Sequence, residues 1–324
     1  MMNGQAIVCW MSDATIIPEK MTGVKRVCYR EIFTRLHQTS DLFIACGHET
    51  YGGNGQFRNI SRYQPTSHTL APANETVTAD VIYNYNNVPR PGFDPGPAVI
   101  TNSPTFKWFC RQKSVTYDYL PDVSPATFYV EDQSGLARAL DMLPGNRVVL
   151  KPDAGLSGID VSITEKVEAN SLPDIDRLLR GGLIVQEFLD TSAGIPGITE
   201  STHDLRIITI NNEISLIHVR TPAPGSLVAN THRGASVSEV ELKKLPSDIL
   251  SFYRTVHARI LSRFPWPLYS LDIAYTPHGP KLIELNGHTA FPRPEFAWRP
   301  VFIQNLLEHL TCIRERTHGG TGGS

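Results

Sequence analysis

Short apolar runs separated by a helix-period segment constrain the first hundred residues more than any other feature of the chain. Residues 6–10, 41–46, 80–85 and 98–101 read as strands. Between the first two, residues 24–37 carry Val24, Val27, Ile32, Phe33 and Leu36 at helical spacing. Strands spaced by helices predict a parallel, doubly wound sheet. The connection 47–79 is rich in Gly, Asn, Ser and Thr. A connection of that length is expected to be a flexible surface loop or a functional one. Its Gly52-Gly53-Asn54-Gly55 could approach a ligand closely.

The remainder reads differently. Residues 105–113 and 134–142 are expected as helices and 147–150 as a strand broken by Pro152. A glycine loop follows, then a returning strand at 159–163, so the loop joins two strands and not a strand to a helix. Residues 174–179 are helical and 183–188 form a strand. Two antiparallel pairs come next: 205–210 with 213–220 around the turn dipeptide Asn211-Asn212, and 269–275 with 281–285. Helices are expected at 247–264 and 301–314, ahead of a glycine-rich tail.

With 324 residues the chain suits two or three lobes around a cleft. Apolar residues make up 41% and charged residues 19%, a balance that predicts an ordered globular protein. Thirty basic residues against 32 acidic ones give no whole-chain case for nucleic acid or an anionic membrane. No run approaches the ~18 apolar residues of a membrane span. Cys9, Cys28, Cys46, Cys110 and Cys312 are scattered and form no CxxC pair. They read as buried small hydrophobes in a reducing compartment, and the cytoplasm is the expected location.

Four motifs carry chemistry. Glu284 and Asn286 are two apart on a strand and share a face, with Asp272 on the neighbouring strand. Leu271, Ile273, Ile283 and Leu285 then point to the opposite, buried face. Two carboxylates and an amide suit magnesium, with water and substrate phosphates as further ligands; a solvated polar face is the bland alternative. Next, a buried strand delivers Lys151 at its end, ahead of Gly155-Leu156-Ser157-Gly158. Such a loop can lay backbone N–H groups on phosphate oxygens, with Lys151 as a point charge, although Gly-x-x-Gly alone is an ordinary turn. Third, Glu187, Phe188, Leu189 and Asp190 leave a strand where exposed backbone could pair with adenine edges. Fourth, Asp204 and Arg206 share one strand face, and Arg220 and Arg233 stand in or beside glycine loops. Arg206 could partner a carboxylate, and an arginine set of this kind suits a phosphate site. The chain has neither a P-loop nor the Gly-x-Gly-x-x-Gly of a dinucleotide site.

The order of these motifs resembles the ATP-grasp superfamily, and within it the RimK-like glutamate ligases and their glutathione-synthetase relatives. The likeness covers about residues 100–290. It implies an α/β protein with a Rossmann-like pre-ATP-grasp domain over 1–101. A small lobe with the glycine loop would follow at 102–185, a large lobe with the metal site at 186–317, and a flexible tail at 318–324. The resemblance also implies roles. Lys107 and Lys151 would bind nucleotide phosphates, and Gly155 to Gly158 would close over the triphosphate with Ser157 as a donor. Glu187, Phe188 and Leu189 would hold adenine, with Asp204 near the nucleotide. Asp272, Glu284 and Asn286 would hold one or two magnesium ions, with manganese as a substitute. Arg220, Arg233 and Asn230 would face the transferred phosphoryl group. The implied cofactors are ATP and Mg2+, and the implied partners are a small-molecule or peptide carboxylate and an amine, with a homo-oligomer left open.

Two departures bear on the substrate pocket. Relatives follow the metal-binding asparagine with a small residue, Pro and Gly, where this chain runs Gly287-His288-Thr289-Ala290-Phe291-Pro292. Some carry Arg where this chain has Ser270. His288 is a candidate substrate contact, or else a structural loop histidine. The expected reaction is carboxylate–amine ligation through an acyl-phosphate. A phosphotransferase and a nucleotide-binding scaffold without turnover are the alternatives.

Overall fold

The computed structural model describes residues 5–12, 23–86, 93–155, 160–229, 234–289 and 291–319. The chain begins with β1 (Gln5–Met11), α1 (Gly23–Leu36) and β2 (Ser40–Cys46). An excursion of short strands follows: β3 (Tyr51–Gly53), β4 (Gln56–Phe57), β5 (Ser61–Gln64), β6 (Thr69–Pro72) and β7 (Val77–Thr78). Then come β8 (Val81–Asn84) and β9 (Val99–Thr101). The first sheet runs β6-β5-β2-β1-β8-β9, with β2, β1, β8 and β9 mutually parallel. The parallel core of this lobe is as expected from its apolar runs.

Alternation along β1 explains why its run is apolar throughout. Ile7, Cys9 and Met11 pack with Cys28, Tyr29, Ile32 and Phe33 of α1. Val8 and Trp10 point the other way, into a second cluster with Phe57, Ile60 and Val77 of the excursion. Both faces are covered, as parallel sheets require. The segment 47–79 is therefore not a free loop: β5 and β6 extend the sheet edge antiparallel, and β3, β4 and β7 form a small sheet of their own. Gly55 is pressed against this scaffold and not against a ligand site, since a Cβ there would lie 2.8 Å from the Pro95 carbonyl oxygen.

Two helices lead into the second lobe, α2 (Pro104–Arg111) and α3 (Lys113–Tyr119). Ser103 caps α2 by accepting from the Phe106 N–H at 3.1 Å, and Pro104 takes the first turn, where its missing N–H costs nothing. The expected helix over 105–113 is interrupted at Gln112, which turns extended and bridges to Ala154. The lobe continues with β10 (Thr127–Val130), α4 (Gln133–Met142), β11 (Arg147–Pro152), β12 (Ser162–Glu165), α5 (Ile175–Arg180) and β13 (Leu183–Glu187). Its antiparallel sheet has the order β10-β13-β11-β12, and the β11–β12 hairpin carries the glycine loop. Ser157 and Gly158 of that loop lie outside the described residues.

The third sheet comprises β14 (Asp204–Ile210), β15 (Glu213–Thr221), β16 (Ser236–Glu239), β17 (Tyr269–Thr276) and β18 (Gly279–Asn286), in the order β16-β15-β14-β17-β18. The β14–β15 turn is the expected one: Asn211 and Asn212 take φ of 59° and 62°, the left-handed pair that a two-residue hairpin demands. Helix α6 (Ser247–Arg263) covers one face through Ile249, Tyr253, Val256 and Ile260, packed on Leu205, Ile207, Leu271 and Ile273. Helix α7 (Arg299–Gly319) covers part of the other face and also packs on α1, joining the first and third sheets in one core. Among the described residues no helix is long and apolar enough to cross a membrane.

Asn102 ties the two sheets beside the candidate site. Its Oδ1 accepts from the Leu268 N–H at 2.8 Å, and its Nδ2 donates to the carbonyls of Leu268 and of Gly287, the latter at 2.9 Å. Replacing it by Ala strands three buried backbone groups, and we expect Asn102→Ala to lose about 3 kcal/mol of stability. Urea unfolding, read as a lower midpoint with an unchanged slope, checks this.

Candidate active site

A row of polar side chains crosses four strands of the third sheet. Register places His218 of β15 opposite Arg206 of β14, Arg206 opposite Asp272 of β17, and Asp272 opposite Glu284 of β18. Asn286 and Ser270 pair in the next rank, and Asp204 pairs with Arg220 in the one before. Period-two alternation puts all of these on the face away from α6.

Asp272 lies at the centre of this row and is 2% exposed. Its Oδ1 accepts from Arg206 Nε at 2.6 Å, and its Oδ2 accepts from Arg206 Nη2 at 2.6 Å and Arg220 Nη2 at 2.8 Å. Asn286 Nδ2 adds a donor to Oδ2 at 3.4 Å. Burial alone would raise the Asp272 pKa, but the two guanidinium groups outweigh it and hold the carboxyl well below its usual range. Arg220 also donates to Asp204. Burial pushes Asp204 the other way, up to about 7, despite Arg220 and with the Asp272 charge adding to the rise. His218 is neutral, its pKa driven down to about 3 by burial and by Arg206 and Arg220.

Among the described residues, four buried polar atoms on this face have no hydrogen-bond partner: Asp204 Oδ1, His218 Nδ1, Arg220 Nε and Ser270 Oγ. Buried polar atoms are almost always paired in folded proteins. These four lie on one sheet face, beside the buried ion pairs of Asp204 and Asp272.

The second lobe brings two lysines to Glu284. Lys151, at the end of β11, is buried and donates to Tyr117 Oη at 2.5 Å, Gln186 Oε1 at 2.8 Å and the Ile283 carbonyl at 3.4 Å. That last acceptor depends on a bulge. The β17–β18 register shifts after Asp272, so Ile273 pairs with Leu282, and Leu282, not Ile283, joins the buried face. The freed Ile283 carbonyl also accepts from Tyr117 Oη at 2.6 Å. Lys113 was not foreseen. Its Nζ stands 3.7 Å from Glu284 Oε1 and donates to the carbonyls of Asp153 and Gly155 at 3.3 and 3.1 Å. Asp153 in turn accepts from the Ser114 N–H and hydroxyl, holding the first turn of α3 against the glycine loop. In sequence Lys113 reads as one more cation in a basic helix end, and only the break at Gln112 gives it this position.

Lys107 goes elsewhere. Its ammonium donates to the carbonyls of Asn84, at 3.0 Å, and Asn86, beyond the end of β8 in the first sheet. It lines a small cleft with Cys110, Arg111, Glu284, Asn286 and His288. The His288 ring meets Tyr85 edge-on at 4.9 Å. Glu187, Phe188 and Leu189 are half-buried at the exit of β13, where Glu187 exchanges backbone and side-chain bonds with Ala126 and Arg147 lies 5.1 Å from the Phe188 ring centre. Asn230 and Arg233 lie outside the described residues.

The geometry fits a hard cation. Among the described residues no group of three or more His, Cys, Asp or Glu is placed to hold a metal ion, but Asp272, Glu284 and Asn286 bring two carboxylates and an amide oxygen together. Asn286 turns its nitrogen to Asp272, which leaves its oxygen to ligate. Asp272 Oδ1 has one guanidinium donor and keeps a lone pair. Such a set leaves room for water and phosphate ligands, as magnesium prefers.

Comparison with known proteins agrees with this architecture. The RimK-like ATP-grasp domain family matches residues 123–261. The structure superposes on a RimK domain ATP-grasp protein from Sphaerobacter thermophilus with a TM-score of 0.60 at 14% identity, covering 94% of this chain and 98% of that one. It superposes on D-alanyl-alanine synthetase A from Vibrio cholerae with a TM-score of 0.61 at 13% identity, covering 98% and 99%. The chain has an ATP-grasp fold. Among curated proteins it is similar to a probable alpha-L-glutamate ligase from Pseudomonas fluorescens, 24% identical over 57% of each chain. It is also similar to a probable alpha-L-glutamate ligase 1 from Shewanella frigidimarina, 27% identical over 61% of this chain and 62% of that one. The matched part thus spans about three-fifths of the length of these two relatives.

The buried arginine clamp gives a direct stability contrast. Arg206→Ala leaves Asp272 buried with half its counter-charge, and we expect a loss of about 3 kcal/mol or more. Arg259 holds Asp122 bidentately at a largely exposed site, and Arg259→Ala should lose less than about 1 kcal/mol. Parallel urea titrations of the two variants read the difference.

Proposed function

We propose that the chain is an ATP-dependent ligase that activates a carboxylate as its acyl-phosphate and passes the acyl group to an amine. The observation that carries the reading is the charge on the third sheet's open face. There, among the described residues, Arg206 and Arg220, with Lys113 and Lys151 from the second lobe, face Asp153, Asp204, Asp272 and Glu284, of which Asp204 is pushed up to about 7, and four buried polar atoms stand unpaired. A cationic surface of this kind favours polyphosphate. The fold and the relatives' names support the same reading.

In this reading Lys113 and Lys151 bind phosphate oxygens beneath the glycine loop. Glu187, Phe188 and Leu189 bind adenine at the exit of β13. Glu284 and Asn286, with Asp272 Oδ1, hold magnesium. When bound, magnesium neutralises charge on the phosphate oxygens. Arg220, through its unpaired Nε, donates to the transferred phosphoryl group, and Arg206 holds Asp272 in place. The substrate carboxylate oxygen bonds to the γ-phosphorus as the bond to the bridging oxygen of ADP breaks. The amine nitrogen then attacks the acyl carbon, phosphate leaves, and the amine proton goes to solvent. Asn230, Arg233, Ser157 and Gly158 keep their proposed roles around the phosphates. Glutamate is the first amino acid to test, on the strength of the relatives' names.

ADP release with magnesium-ATP and pools of amino acids tests the reading. We expect release that depends on a substrate pair, an amide product by mass spectrometry, and loss of at least about 100-fold in Glu284→Ala. ADP release with a phosphorylated product and no amide would instead mark a phosphotransferase.

Lys151 predicts a pH dependence. Burial lowers its pKa to about 8 in spite of Glu284 and Asp272. The free protein therefore loses this positive charge as pH rises through about 8, and nucleotide affinity should fall above that value. Bound phosphate favours the proton, so the decline begins at about 8 and levels off only at a higher pH. Lys151→Arg should remove this limb, and calorimetric titration of magnesium-ATP between pH 7 and 10 checks it.

A further inference from the structure

Three lysines surround the segment from Glu284 to His288, and they sort into two kinds. Lys113 and Lys151 face Glu284 and the second lobe. Lys107 is equally buried, at 5% exposure, but has no carboxylate partner among the described residues. Among the described residues its three N–H groups have two acceptors, the carbonyls of Asn84 and Asn86, both neutral. A buried ammonium without a counter-charge is costly, and a ligand anion would supply one.

The neighbouring residue repeats the deficit. Asn86 is 2% exposed, and among the described residues neither its side-chain oxygen nor its nitrogen has a hydrogen-bond partner. An amide offers one acceptor and two donors, the complement of an ammonium beside a carboxylate. Both residues stand at the carboxyl end of the first sheet, where open α/β sheets take their ligands. The cleft that Lys107 lines is shared with Glu284, Asn286 and His288, so a molecule in it would reach the proposed metal ligands.

We infer that Lys107 and Asn86 form an anchoring subsite for an amino-acid zwitterion, holding a carboxylate other than the one being phosphorylated. This rests on the ligase reading above and deepens it: Lys107 serves the substrate and not the nucleotide. The reacting carboxylate must lie by the phosphates, with Lys113 and Lys151. The carboxylate on Lys107 is then a spectator that fixes the substrate's orientation, and its loss weakens amino-acid binding without weakening nucleotide binding.

The test uses the full chain, with magnesium and the non-hydrolysable analogue adenylyl imidodiphosphate. Calorimetry gives the analogue's affinity for the wild type, Lys107→Met, Asn86→Leu and Lys151→Met. Thermal-shift titration with the twenty L-amino acids and their carboxamides then gives amino-acid affinity in its presence. We expect Lys107→Met and Asn86→Leu to bind the analogue within about twofold of wild type, and Lys151→Met to bind it at least about tenfold more weakly. At least one free amino acid should stabilise the wild type where its carboxamide does not, and Lys107→Met should weaken that binding about 30-fold or more. Wild type that binds no analogue overturns the ligase reading and this subsite with it. Wild type that binds the analogue yet distinguishes no amino acid from its amide overturns the subsite alone. So does a Lys107→Met variant that loses the analogue as Lys151→Met does.

Discussion

The chelate of Asp272 by Arg206, with Arg220 as a second donor, is the interaction on which the site depends. It is buried at the middle of the third sheet, where an unpaired charge would not be tolerated. Each partner comes from a different strand, so the clamp exists only when β15, β14 and β17 are in register. A slip of one residue in any of them would send its charged side chain into the cluster under α6. The apolar residues between the charges, Leu205, Ile207, Leu271 and Ile273, thus hold the charges in place as firmly as the charges hold one another. Because Arg220 also serves Asp204, the two carboxylates share one cation. One carboxyl is held low and the other is pushed up to about 7. The face therefore carries less negative charge near neutrality than its residue count suggests, which increases its attraction for an anion.

The second lobe joins this cluster through one backbone irregularity. A regular β17–β18 ladder would keep the Ile283 carbonyl within the sheet. The bulge releases it toward Tyr117 and Lys151. Lys151 thus touches the third sheet through Ile283 and its own sheet through Gln186, and Lys113 spans Glu284 and the glycine loop in the same way. Both ammonium groups lie where two sheets meet, each holding acceptors that a phosphate could replace. Movement of one sheet relative to the other would change both contacts together.

What was legible in the sequence follows the range of the interactions involved. The strand–helix alternation of the first lobe, the Asn211-Asn212 turn and the shared face of Glu284 and Asn286 depend on spacing within a few residues, and they could be read directly. The excursion over 47–79 could not. Its strands are two to four residues long, too short for alternation to show, and they gain order from Trp10, Phe43 and Ala98 of the sheet beneath. The bulge at Ile283 was hidden for a related reason, since Ile283 and Leu282 are interchangeable in pattern and only pairing with Ile273 separates them. Lys113 needed the break at Gln112, which is made by a bridge to Ala154 more than forty residues away.

The loop after Asn286 is where the two halves of the site meet. Its first residue must be small. A Cβ at Gly287 would sit 3.5 Å from Lys107 Cα and 3.7 Å from Cys110 Cβ, in contact with α2, and a larger side chain would press against that helix. The Gly287 carbonyl is also fixed by Asn102, which in turn holds Leu268 just before β17. The loop is therefore pinned from the first sheet while Glu284 and Asn286 are pinned from the third. His288 then lies against Tyr85 at the edge of the first sheet, with the Tyr29–Phe291 ring pair close by at 4.6 Å. Tyr29 and Tyr85 are buried in the first core, so of these rings only His288 lines the cleft, and the others hold the loop against the first lobe. The departure from the pattern of relatives at Gly287 and His288 thus falls where this loop packs on α2 and on Tyr85.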